Sequence, residues 1–449
     1  MLPGKYVSKD SSTVERFFNV RIEECALYRL SGCMNIVMLV YEFPPRIIGG
    51  LGTYAGEISQ ELVKLGHDVT VVTMNDGKLP VRETWHGVEV HRPVHVDLTD
   101  SLPAMVNEDL RKWGRGLKFF SDVFAYNVIA ASKIAYELVR KEDKKADIVA
   151  AHDWLSIVAG ASCKRELNVP LVFHIHSTEP GRTMGRGSPV VNALESTGGA
   201  VSDMVITVSH AMRDELVGLG FIERKIRVCY DAVDSEKYDP SKVSQEAVTN
   251  LRLKYGLSGE DKMILFVGRL TAVKGVDRLV NAMPAILQKI PNAKLVVVGL
   301  GDMQDYLGGL VHSIGVGDHV TLRTEFIPEE ERILHYAACD LAVFPSLYEP
   351  FGIVCTEAMS MGKPVVVGAS GISGLREQVV PSGPDQTGLH VNPQDPNDIA
   401  WAATTILGDA DLARTMGINA RTRVLQKFTW TEVGNSLVRT YEELLSKGK

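Results

Sequence analysis

Four short stretches bring together residue types that handle phosphate and hydroxyl groups. GRLTAVKG (268–275) follows the apolar run MILFVG (263–268). Arg269 and Lys274 stand five apart across a strand-to-helix turn, so both can point at one spot. A guanidinium fork plus a compact ammonium suits a diphosphate that gains charge as it leaves. Two solvated surface cations would leave the same pattern. PSLYEPFGIVCTEAM (345–359) sets Glu349 in a loop and Glu357 eight residues on. About two helical turns return a side chain to the same side. Two acceptors facing a positive helix end can read sugar hydroxyls, with backbone N–H groups holding phosphate. A helix cap is the plainer role for Glu349. In EFPPRIIGGLGTYAGEI (42–58), Gly49-Gly50 opens a helix after a strand and a rigid Pro44-Pro45 turn. Glycines there let backbone N–H groups approach an anion, or only let the turn pack tightly.

The fourth stretch pairs AHDWL (151–155) with VFHIHSTEPGR (172–182). Both close strands of one sheet. His174 and His176 alternate along a strand and share a face. No third ligand has suitable spacing, so no metal is expected. Asp153 is either a functional acid or an N-cap. Asp409-Ala-Asp411 resembles a metal-binding DxD string but sits before a helix pattern and reads as loop and cap. Gly299-Leu300-Gly301 reads as a turn.

These stretches need a scaffold, and the pattern around them supplies one. Runs at 36–41, 68–74, 146–152, 170–176 and 204–209 are rich in Val and Ile without polar alternation. Strands buried on both faces of a parallel sheet read this way. A second set lies at 263–268, 293–299, 319–324, 341–346 and 364–368. Helix patterns alternate with them: Thr53–Leu65 ending at Gly66, about 107–140, Asp277–Gln288 and Ile353–Met361. The expected organisation is α/β: one doubly wound domain over 34–245, a second over 246–429, and a final helix at 430–449 crossing back to the first. The polar stretch 234–259 is the expected hinge. Residues 1–33 are expected to be an appendage or a mis-called start, with a helix over Ser12–Leu30 as the rival. Ligands of such folds bind at the carboxyl ends of the strands, here in the cleft between domains.

Composition narrows the classes. The chain has 449 residues, 45% hydrophobic and 23% charged, ample for two or three domains. With 48 Lys plus Arg against 55 Asp plus Glu, the formal net charge is −7. A mildly acidic chain is a poor general binder of nucleic acid. Six scattered cysteines without a CxxC pair suit a reducing cytoplasm. No apolar run approaches the ~20 residues that span a bilayer, and the leading residues lack the apolar core of a signal peptide. Residues 111–145 carry nine cations against four acids, with Trp113, Phe119 and Phe120 interleaved. This is either a solvated helix face or a membrane-surface patch.

Residues 34–447 resemble the retaining glycosyltransferases of the GT-B fold, in which two Rossmann-like domains face each other. PPxxGG, HDW, GRLxxxKG and ExFGxxxxE occur in the family's order. Within that group the chain is similar to glycogen and starch synthases and to archaeal and actinobacterial α-1,4-glucosyltransferases, on HDWLSIVAG and HSTEPGR. The resemblance implies that Arg269 and Lys274 hold the leaving diphosphate. Glu349 would hold the donor sugar's hydroxyls and Glu357 the ribose, with Phe351, Gly352 and Ile353 beside them. His176 would sit near the anomeric centre, Asp153 would orient sugar or acceptor, and Gly49 and Gly50 would offer backbone N–H groups. It implies ADP- or UDP-glucose as donor, an α-glucan as acceptor, and neither cofactor nor metal. Two departures stand out. Ile47 holds the place of a lysine found in bacterial glycogen synthases, with Arg46 next to it. Asp231-Ala232-Val233-Asp234 stands where the family often shows Asn-Gly before an Asp. A small-sugar or lipid acceptor, an epimerase, and a non-catalytic glucan-binding role remain as rivals.

Overall fold

The computed structural model describes residues 32–98 and 116–446. The expected appendage, except its last two residues, and the start of the helix pattern from about 107 lie outside them. Fourteen strands form two sheets among the described residues. The first holds β1 (Asn35–Leu39), β2 (Asp68–Val72), β3 (Arg82–Trp85), β4 (Val88–His91), β5 (Ile148–His152), β6 (Leu171–Ile175), β7 (Met204–Thr207) and β8 (Ile226–Val228). Its order is β3-β4-β2-β1-β5-β6-β7-β8. The second holds β9 (Lys262–Val267), β10 (Ala293–Val298), β11 (Val320–Arg323), β12 (Leu341–Phe344), β13 (Val365–Gly368) and β14 (Gly388–Val391), in the order β11-β10-β9-β12-β13-β14. Every neighbouring pair is parallel except β3 with β4.

Each apolar run of the sequence is a strand, because central parallel strands are sealed on both faces and need no polar side. Ile148–Ala151 and Leu341–Phe344 are buried at every position. In each sheet the chain lays strands to one side of the first, then returns to the other. The switch points fall between β1 and β5 and between β9 and β12. At such points the helices leave to opposite faces and a crevice opens beyond the strand ends. All four chemistry-bearing stretches emerge there or one strand away: 42–50 after β1, 153 after β5, 268–275 after β9 and 345–352 after β12. Residues 174–176 close β6, beside β5.

Two segments join the domains and run side by side. Val233 N–H donates to Phe428 O (2.9 Å), and Val233 and Thr429 form a parallel bridge. Of the polar stretch 234–259, residues from Tyr238 onward are fastened to the second domain: Ser360 Oγ donates to Tyr238 O (2.7 Å), and Tyr255 OH meets His335 Nε2 (2.7 Å). The helix Trp430–Ser446 returns to the first domain. Its Trp430, Leu437 and Tyr441 share a core with Met38, Val40 and Ile58. Arg227 Nε donates to Glu443 (2.9 Å), and Tyr441 OH meets buried His174 Nε2 (2.9 Å). Removing that hydroxyl leaves a buried ring nitrogen unpaired. Tyr441→Phe is therefore expected to lower stability by about 1–3 kcal/mol in denaturant titration.

The helix Gly116–Ser132 winds on into a π-helix over Lys133–Lys141. The cations of this stretch mostly face neighbouring acids: Lys118 with Asp97 and Asp122, Lys133 with Glu137, Arg140 with Glu166, Lys144 with Glu89. No helix among the described residues is long and apolar enough to cross a membrane.

Candidate active site

The second domain's wall is built from the loops after β9 and β12. Leu347 N–H donates to Val273 O (2.7 Å), which stitches the two loops together. Lys274, on a short 3₁₀ turn, forms an ion pair with Glu349. Ser346 Oγ donates to the same carboxylate (3.2 Å). Glu349 is itself fixed by its backbone: its N–H donates to Ile372 O (3.0 Å), and its carbonyl accepts from Gly374 (2.8 Å). Arg269 is exposed and has no ion-pair partner among the described residues. Gly352 sits at φ +96°, in the left-handed region. A Cβ there would lie 2.6 Å from Leu375 Cδ2 and 3.0 Å from Glu349 Cγ. The turn that ends the Glu349 loop and starts the helix Ile353–Ser360 therefore requires glycine.

Glu357 differs from expectation. Residues 349–352 are loop, so the eight-residue spacing carries no helical phase; Glu357 lies little more than one turn into the helix. It is buried, and its oxygens accept from Tyr336 OH (2.8 Å) and pair with Arg332 (3.3 Å). This fixes the carboxylate at the helix's inner side.

The first domain's wall begins with a residue the motif reading passed over. Glu42 Oε2 accepts from the N–H groups of Ile48 (2.8 Å) and Gly49 (2.9 Å). Gly49's N–H is thus occupied by its own turn, contrary to its expected role. Gly50 fares differently: a Cβ there would lie 3.9 Å from Ile353 Cδ1, so the two motifs meet across the cleft. Arg46 lies over the Tyr41 ring (5.0 Å) and donates to Tyr41 O (3.1 Å), while Ile47 and Ile48 are exposed. Arg46 is thus engaged with Tyr41, one residue before the place of the missing lysine.

Asp153 adopts φ +55° just past β5. Its N–H donates to His174 O (2.8 Å), and its Oδ1 accepts from His176 N–H (2.8 Å). The carboxylate clamps the end of β6 instead of capping the following helix, whose N-cap is Ser156. Sequence spacing offers no third ligand beside His174 and His176. Strand pairing supplies one: His152 is the register partner of His174. His152 Nδ1 meets His176 Nε2 at 3.1 Å. The three ring planes are nearly parallel, at 23°, 22° and 16° to one another; His152 lies over His174 (centroids 4.3 Å apart) and meets His176 edge to edge (5.4 Å). One ring nitrogen from each of the three histidines lies within 4.8 Å of the others, close enough for a metal ion. His174 Nε2 is also taken by Tyr441. The three form a packed histidine cluster, hydrogen-bonded within itself and to Tyr441. Burial lowers all three pKa values, those of His152 and His174 well below the usual imidazole range, so the cluster is neutral at pH 7.

The walls are pinned together at two further places. Tyr348, inside the PSLYEP motif, reaches into the first domain. Its hydroxyl accepts from Thr178 N–H (3.0 Å) and donates to Glu215 (3.3 Å). Gly181 lies flat against the Tyr348 ring, where no Cβ would fit. Glu377 caps a helix of the opposite domain, accepting from His210 N–H (3.0 Å) and Ala211 N–H (2.8 Å).

Comparison with known proteins fits this architecture. Residues 248–423 match the family described as glycosyl transferases group 1, and residues 48–237 match glycosyltransferase family 4. An uncharacterized glycosyltransferase of Methanocaldococcus jannaschii is 35% identical over 91% of this chain and 98% of its own length. The chain belongs to the group 1 glycosyltransferases. A glycogen synthase of Mycobacterium tuberculosis is 31% identical to this glycosyltransferase over 91% of the chain and 94% of its own. Among solved structures, a sucrose-phosphate synthase of Thermosynechococcus elongatus superposes with a TM-score of 0.71 at 25% identity, covering 92% of this chain and all of that one. The catalytic domain of starch synthase IV of Arabidopsis thaliana, bound to ADP and acarbose, gives 0.72 at 18% identity over 92% of this glycosyltransferase and all of that domain. The fold is GT-B. The two matched segments divide the cleft between them: one holds Gly50, Asp153 and the histidines, the other Arg269, Lys274, Glu349 and Glu357.

Proposed function

We propose that this glycosyltransferase moves glucose from ADP- or UDP-glucose to the non-reducing end of an α-1,4-glucan with retention of configuration. The observation that carries the reading is that Glu349 of one domain, paired with Lys274, and Asp153 of the other both lie within electrostatic reach of buried Asp231, with Gly50 beside Ile353 across the cleft. Lys274 and Arg269 bind the diphosphate and take up its charge as it departs. Glu349, held by Ser346 and Lys274, accepts from the sugar's hydroxyls, and Glu357 from the ribose. Asp153 and His176 line the reacting face. The resemblance to retaining enzymes implies that the acceptor attacks from the side the diphosphate leaves, and that the diphosphate takes its proton. Positioning and charge stabilisation are the protein's share of the work. The glycogen synthase relative at 31% identity, together with HDWLSIVAG and HSTEPGR, supports the glucan acceptor. A cytoplasmic setting goes with this reading.

The test is release of ADP or UDP from each sugar nucleotide, with glycogen, maltose, sugar phosphates or no acceptor. Glycogen-dependent release with an α-linked product supports the reading. Release only with a sugar phosphate or a lipid acceptor moves the enzyme to another acceptor class. Because Lys274 and Arg269 are given the diphosphate's charge in this reading, activity should persist through dialysis against EDTA. Complete loss that Mg²⁺ or Mn²⁺ restores would contradict the charge-stabilising role given to Lys274 and Arg269.

A further inference from the structure

Asp231 lies three residues past β8, on the segment leading out of the first domain, where the resembled family often carries asparagine. It is buried, and its Oδ1 is sealed from solvent without a hydrogen-bond partner among the described residues. The groups facing it come from four directions. Asp153 stands after β5, and Glu349 reaches over from the second domain. His176 Nδ1, after β6, is 3.9 Å from Oδ1, too far for a hydrogen bond. Tyr54, on the helix Gly50–Lys64, and Cys229 complete the surround. No lysine or arginine pairs with it among the described residues. A charged Asp231 would be a third carboxylate in a space that must also receive a diphosphate.

We propose that Asp231 works as a neutral carboxylic acid whose O–H donates to a hydroxyl of the bound donor sugar, the part an asparagine amide would play. A protonated carboxyl and an amide share one frame, with a carbonyl acceptor on one arm and a donor on the other, O–H in the acid and NH2 in the amide. The departure from Asn-Gly then conserves the hydrogen-bonding function while adding a titration. Burial, and then the charges of Asp153 and Glu349, push the Asp231 carboxyl up to about 8. Below that pH it donates; above it the group ionises, loses its donor and repels the donor's phosphates. The inference rests on the nucleotide-sugar reading of the cleft.

Two measurements test it. The first is the pH profile of kcat/KM from pH 6 to 10 with ADP-glucose and UDP-glucose, each profile scaled to its own maximum. The native enzyme should fall about tenfold per pH unit above pH 8. Asp231→Asn should lose that limb, and Asp231→Ala should lower kcat/KM at every pH. The same limb in Asp231→Asn overturns the proposal. So does abolished turnover in Asp231→Asn with a melting temperature that matches the native enzyme at pH 4, since a charged carboxylate would then be required. The second needs no substrate. A raised carboxyl pKa gives stability that is full below the unfolded value of about 4 and is lost as pH rises to 8. The melting temperature of Asp231→Asn should therefore gain on the native enzyme between pH 4 and 8 and hold that lead above. A constant difference across that range overturns the neutral acid even if the donor is never identified. A widening difference with no turnover on either sugar nucleotide keeps the neutral acid and rejects the substrate reading instead.

Discussion

Lys274→Ala should lower kcat by about a hundredfold or more, the scale seen when one preorganised charge contact to a transition state is removed. Lys274 stands at the switch point of the second sheet, on a 3₁₀ turn locked to the neighbouring loop through Val273. Its side chain is 16% exposed and paired with Glu349, so the ammonium is held before any ligand arrives. A preformed charge requires little reorganisation when the leaving diphosphate develops its own. The substitution also strands buried Glu349, and breaking a buried pair can cost about 3–5 kcal/mol in stability. Two controls separate these effects. Lys274→Arg retains the charge but places a wide planar fork where a compact ammonium sat, so its stability should recover further than its kcat. A substrate titration should locate the loss in kcat rather than in KM alone. An unchanged kcat for folded Lys274→Ala would remove this lysine from the chemistry.

Gly181→Ala should open the cleft. The new methyl falls within the Tyr348 ring, and that ring cannot swing aside without giving up Thr178, Glu215 and its contact with Met212 (3.4 Å). Overpacking of this kind costs about 1–3 kcal/mol where the surroundings hold firm. Here the strained contact lies between two domains joined by a paired crossing, and relative motion is the ordinary way such interfaces relieve strain. Expected results are a larger radius of gyration by small-angle scattering and a fall in kcat/KM of about tenfold or more, since reacting groups on opposite walls no longer meet. Combining Gly181→Ala with Tyr348→Ala removes the clash and should recover part of the compactness; pairs in direct contact are where additivity fails. Scattering curves identical for native and Gly181→Ala protein, with and without nucleoside diphosphate plus maltooligosaccharide, would show that the contact does not govern closure.

What could be read in the chain beforehand divides along a physical line. The apolar strands stood out because central parallel strands need no polar face. β3 and β4 did not, because Arg82–Trp85 and Val88–His91 form an edge hairpin about His86-Gly87 with polar residues alternating through it. The three-residue β8 is too short for any pattern. Within the site, residues carried by a contiguous motif were visible, as with Lys274 and Glu349. Partners set by tertiary register were not. His152 joins His174 only through β5–β6 pairing, and Tyr441 reaches it from 267 residues away. Tyr348 and Glu42 lay inside motifs already singled out. Their tasks, pinning the opposite domain and holding the glycine turn, show only once the chain is folded.

The return of the last helix has a consequence for biosynthesis. Domains usually fold as they leave the ribosome, the first one first. Here the first sheet is complete at Val228, yet Trp430, Leu437 and Tyr441 still belong to its core. Roughly two hundred further residues, about 10–40 s of translation at 5–20 residues per second, separate the two. For that interval the nascent first domain carries a bare apolar face and an unpaired His174, while the second domain can form complete. The clasp that finishes the first domain is thus made only after the whole of the second.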